Sequence, residues 1–133
     1  MKHFLDLYLK EHEISIQELP AWFTEGIAEY FAFQVEQAFP VLYSYYFDTF
    51  PFERLQENHN ENVNTIYLQG FYAIYDLIET YGEDVITKVI LAYKESGDFA
   101  TAFEAVIDEE YVAYHESFRL NKNKINMIAD KNL

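Results

Sequence analysis

The sequence predicts an all-α fold, a single compact domain of five or six helices. Three observations carry that prediction. Apolar residues recur at i, i+3, i+4 and i+7 along most of the 133 positions, the spacing of one helix face. Pro20, Gly82 and Gly97 fall where those stripes begin or end. Half of the residues are apolar and twenty-five are aromatic, which supports one sizeable core and excludes disorder.

The elements follow in order. Phe4, Leu5, Tyr8 and Leu9 make an opening stripe that starts at the first residues without an N-cap. Pro20 suits the first turn of a second helix, on which Phe23, Ile27, Tyr30, Phe31 and Val35 share a face that Gln34 interrupts. From 37 to 64 the period is lost, among two prolines, many aromatics and a polar connector, and a short strand or irregular structure is expected there. Tyr43, Tyr45, Tyr46 and Phe50 are expected to pack into the core of that segment rather than to line a peptide groove.

A third helix resumes near Thr65, with Tyr67, Phe71, Ile74, Ile78 and Tyr81 on one face. Leu68, Tyr75 and Leu77 extend its apolar surface, so this helix should be central. Gly82 is placed to end it in the left-handed conformation. Glu83 to Glu95 reads as a fourth helix with Ile86, Val89, Ile90 and Tyr93 inward and Gly97 as its stop. Asp98 is a good N-cap for Phe99 to Ile107, and Asp108 for a last helix through Phe118. The core is thus expected over 1–120, with 121–133 a polar, basic tail.

Charge and composition exclude several functions. The absence of cysteine excludes a disulfide scaffold, a thiolate zinc finger and a cysteine nucleophile. Net charge is −14, and Glu11 to Thr87 holds fourteen acidic residues against one basic residue, Arg54. Such a surface repels phosphate, so no nucleic-acid partner is expected. No apolar run reaches the length needed to span a bilayer, and no signal peptide opens the chain. The acidity reads first as a device for solubility, and otherwise as a surface for a cation, a metal or a basic protein.

No complete H-E-x-x-H zinc motif is present. His12-Glu13 is followed at the required position by Ile16, and His115-Glu116 by Arg119, so both pairs are expected at the surface. The informative segment is LPAWFTEGIAEYF, Leu19 to Phe31. Glu25 and Glu29 are one helical turn apart and share a face. Gly26 between them costs about 1 kcal/mol against alanine inside a helix. With Ala28 it leaves a smooth patch for close approach of another backbone or of a metal site. By spacing alone the pair also suits a solvated acidic face.

The string W-F-T-E-G-I-A-E-Y-F resembles the third-ligand helix of the gluzincin zinc metallopeptidases, above all the bacterial collagenase-like and peptidase-MA-like branches. The resemblance implies the C-terminal helical subdomain of such a peptidase. It assigns Glu25 to the zinc-ligand position and Glu29 to the glutamate that orients a metal-bound imidazole. It also makes MKHFLDLYLKEH the end of the active-site helix, with His3 as the second histidine of a motif whose first histidine and catalytic glutamate would lie upstream of Met1. IYLQGFYAIYDLIETYGEDVITKVILAY is similar to the helices that follow, and Tyr67 takes the place of a tyrosine that donates a hydrogen bond to the tetrahedral intermediate.

The resemblance thus implies zinc and a peptide or protein substrate for a complete parent protein, whose relatives are often secreted. For this chain alone it implies little or no bound zinc and no peptidase activity. Two other functions remain open on the sequence: a non-catalytic helical interaction domain on a degenerate peptidase scaffold, and an acidic module that binds a basic protein. Exposed apolar residues on the first helix also allow a homodimer.

Overall fold

The computed structural model describes residues 2–36 and 63–120. The side chains of 2–4, 6, 36, 63–69, 115 and 117–120 lie outside that description, as do the expectations for 37–62, which include Tyr43, Tyr45, Tyr46 and Phe50, and for 121–133. Among the described residues there are six α-helices, one short 3-10 turn and no strand. They are α1 (Lys2–Glu11), α2 (Ala21–Glu36), α3 (Val63–Tyr81), α4 (Val85–Ser96), α5 (Phe99–Ile107) and α6 (Tyr111–Leu120), with the 3-10 turn at Ile16–Glu18. None of these helices is long and apolar enough to cross a membrane.

Local chemistry sets the boundaries. Pro20 stands just outside α2 rather than in its first turn, and its carbonyl accepts the N–H groups of Phe23 and Thr24 at 3.0 and 3.2 Å. Gly82 (φ 101°) and Gly97 (φ 74°) close α3 and α4 in the left-handed region, as the sequence predicts. The fourth helix begins at Val85 rather than at Glu83, with Asp84 ahead of it. Asp98 caps α5 as expected, its carboxylate accepting the Thr101 N–H at 2.9 Å and the Thr101 hydroxyl at 2.6 Å.

Asp108 requires a correction. It ends α5 at φ 61° instead of starting α6, and the last helix begins at Tyr111. Aspartate tolerates the left-handed region better than most residues, so it serves as a C-cap where no glycine is available. A second expectation also fails. Val35, placed on the apolar face of α2, is 65% exposed.

The third helix is central, as its apolar circumference predicts. Phe71, Tyr72, Ala73, Ile74 and Leu77 have no solvent exposure. It packs along α2, while α1 lies on α2 and α4 pairs with both α3 and α5. The core is largely aromatic. Phe99 meets Phe23 edge-on at a centroid distance of 5.0 Å, and Phe103 does the same with Tyr111 and Tyr114 at 5.2 and 5.3 Å. A second group joins Phe33 and Phe71 at 5.7 Å and Tyr30 and Tyr75 at 6.2 Å. These edge-to-face pairs are the arrangement the ring quadrupoles favour, worth about 0.5–1.5 kcal/mol each beyond burial.

Tyrosine hydroxyls connect this core to acidic residues. Tyr114 is 1% exposed and donates to Asp76 Oδ2 at 2.8 Å, tying α6 to α3. Burial, reinforced by the Asp76 charge, holds its pKa well above the ordinary 10.0. In the unfolded chain tyrosine ionises near its usual value of about 10. The neutral form is therefore favoured by folding. The stabilisation is complete below that pH and is lost as pH climbs toward the higher folded pKa. Unfolding free energies from urea titrations up to about pH 11 should hold steady to about 10 and then fall, by up to about 1.4 kcal/mol per pH unit for each such group. Tyr114→Phe should flatten the decline, and an unchanged slope would contradict the assignment.

Candidate functional site

The segment Trp22–Phe31 lies entirely within α2, and that helix explains its composition residue by residue. Trp22 is fully buried, and its indole N–H donates to the Tyr111 hydroxyl at 2.9 Å. Thr24 is 4% exposed and returns its hydroxyl to the Ala21 carbonyl at 3.3 Å, so it needs no other partner in the core. Ile27 and Tyr30 are buried and border a groove shared with α1, α3 and α4, and the Tyr30 ring also meets Phe71 and Tyr75 of α3.

Gly26 sits against Gly70 of α3. A Cβ placed on Gly26 would stand 2.5 Å from the Gly70 carbonyl carbon and 2.8 Å from Ile74 Cγ1. One placed on Gly70 would stand 3.2 Å from Gly26 Cα and closer still to the Trp22 carbonyl oxygen. Of the two uses left open for Gly26, the structure shows close approach of another backbone.

Glu25 and Glu29 are both half-buried and share one face of α2, as their spacing requires. They flank the crossing, since Gly26 is the next residue after Glu25. His3 and Tyr67 lie in α1 and α3, the two helices packed on α2, but their side chains are outside the described set. The structure thus brings the helices carrying all four residues together, while the separations of His3 and Tyr67 from Glu25 are outside the description. Of the His-Glu pairs, His12 is half-buried, with its ring 4.7 Å from that of Tyr8, and Glu13 is exposed.

Among the described residues, no three of His, Asp, Glu or Cys gather closely enough to hold a metal ion. A catalytic zinc requires three protein ligands and one open position. Of the four sequence candidates, Glu25 and Glu29 are the two whose side chains are described.

Other functional-looking contacts had no sequence signal. Tyr93 donates to Glu18 at 3.0 Å and Tyr81 to Glu109 at 2.9 Å. Burial and the Glu109 hydrogen bond push the Tyr81 hydroxyl up to about 12. Each contact joins residues distant in sequence, so no spacing rule reveals it. Gly70 was closer to legible. Like Gly26, it is a glycine inside a strongly apolar helix, and two such glycines mark a close crossing.

No family model matches the chain. No solved structure matches it. It is similar to the uncharacterized protein YhcO of Bacillus subtilis (strain 168). The two are 31% identical over 134 residues, an alignment taking in 96% of this chain and 40% of YhcO. The chain thus spans less than half the length of that relative.

Proposed function

We propose that this chain is the helical C-terminal part of a zinc-dependent metallopeptidase, contributing the helix that bears the third metal ligand. The observation that supports it is the W-F-T-E-G-I-A-E-Y-F segment, continuous within α2, with Glu25 and Glu29 half-buried on one face. Glu25 is the ligand in this reading, and Glu29 fixes the orientation of a metal-bound imidazole. His3 is the second histidine of the zinc motif, and Tyr67 the donor to the tetrahedral intermediate. The substrate class is a peptide or protein.

The 133 residues hold no complete H-E-x-x-H, so by themselves they are expected to be inactive. In this reading the glutamate of that motif takes a proton from metal-bound water. The purified chain is expected to carry far less than one zinc per molecule and to show no chelator-sensitive cleavage. Placing a helical lead ending in His-Glu before Met1 completes H-E-x-x-H with Met1, Lys2 and His3. That extended chain should take up about one zinc by elemental analysis, as a three-ligand site would. Glu25→Gln in it should abolish uptake, and Glu29→Gln should weaken affinity by about 10–100-fold. A folded extended chain that takes up no zinc, or whose zinc survives Glu25→Gln, would sink the proposal.

A further inference from the structure

On the side of α2 turned away from Glu25 and Glu29 lies a half-open apolar groove of about 440 Å³. That volume falls in the range of about 300–1,000 Å³ common to ligand clefts. Its floor is Ile27 and Ile90, each 1% exposed. Tyr8, Phe31, Ile78 and Ile86 form its walls and are only half-buried, so four large apolar side chains from four helices show surface in one place. A concave, mostly apolar lining of this kind is the common character of ligand clefts.

The charge around the groove selects the occupant. Among the described residues, Glu83 is the one charged residue of the lining and no basic side chain joins it. Burial, together with the charges of Glu79 and Glu83, raises the pKa of the groove residue Tyr30, so both carboxylates act on the cleft. Nearby Lys88 is held by Asp84 at 3.2 Å and does not offset them. A second copy of a chain with net charge −14, or an anionic membrane surface, would meet like charge here.

We propose that this groove binds the apolar stripe of a basic amphipathic helix from another protein, whose Lys and Arg flanks meet Glu79 and Glu83. The fit is of the helix-in-groove kind, with anchors at i, i+4 and i+7. It stands independently of the zinc reading, which concerns the other face of α2.

The test uses a labelled synthetic helix with leucine anchors and lysine flanks, titrated with the full chain by fluorescence anisotropy. Binding is expected to weaken with added salt, because rim charges contribute through screened attraction. Glu83→Lys, at an exposed turn that leaves the core untouched, should reduce affinity by about tenfold or more. Phe31→Ser should do the same, with circular dichroism confirming that the helices remain. Glu95→Lys makes the same charge change on the exposed far side of α4 and should leave affinity within about twofold. Equal losses from Glu83→Lys and Glu95→Lys would reduce the binding to general electrostatics and overturn the proposal. So would equal binding of a helix with glutamate in place of lysine, or a dimer of the chain that Phe31→Ser dissociates.

Discussion

Gly26→Ala and Gly70→Ala should each destabilise the protein by about 2–3 kcal/mol, against the direction of helix propensity. In an ordinary helix interior the change from glycine to alanine gains about 1 kcal/mol. Here the nearest atoms to the new methyl are backbone, which cannot rotate away: the Gly70 carbonyl in one case, with Ile74 beside it, and the Trp22 carbonyl in the other. Relief requires α2 and α3 to move apart, which loosens the apolar contacts of the central helix along its length. Overpacking of this kind costs about 1–3 kcal/mol and sometimes more. Valine at either position should prevent folding in a protein of ordinary stability, about 5–15 kcal/mol. The two alanine changes should also be less than additive, because the first has already separated the helices. Urea unfolding of the single and double variants checks this. A gain in stability from Gly26→Ala would show that the helices do not cross so closely.

Trp22→Ala should be as damaging, by about 3–5 kcal/mol, since it empties a fully buried site among Phe23, Phe99 and Tyr111. The hydrogen bond can be separated from the packing. Tyr111→Phe keeps the ring but leaves the indole N–H buried without its acceptor, a loss of about 1–3 kcal/mol. Trp22→Phe removes the donor, and in the double variant both polar groups are gone. The cycle should therefore show that the second change costs much less after the first. Independent effects would mean that the 2.9 Å contact contributes nothing.

Boundaries governed by single residues were legible in the sequence. Gly82, Gly97 and Asp98 each act through their own backbone or side chain, so their roles follow from identity and position. Asp108 shows where that logic fails. The same residue type suits a helix start and a left-handed stop, and the choice depends on the α5–α6 corner, where the Tyr111 N–H meets the Glu104 carboxylate at 3.3 Å. The α2–α3 crossing was half legible. Gly26 advertised a cost without naming its compensation, because Gly70 belongs to another helix.

Val35 failed for a related reason. Period alone marks the buried sector of a helix, but not how far along the helix its neighbours reach. At the site, the shared face of Glu25 and Glu29 followed from spacing. The identities of the groups facing that pair are tertiary facts that no local pattern encodes. The acidic groove was missed because its walls come from α1, α2, α3 and α4, and in each helix separately those residues read as ordinary core.

Trp22 is the sole tryptophan, and its hydrogen-bond partner lies 89 residues away. The indole is thus a built-in optical gauge of one long-range event, the docking of α6 onto α2. Pairs such as α4 and α5 can associate through short loops, whereas this closure must organise most of the chain first and belongs to the slow, high-contact-order part of assembly. Emission from a single chromophore therefore follows the step that completes the fold, while far-ultraviolet dichroism follows the helices that precede it.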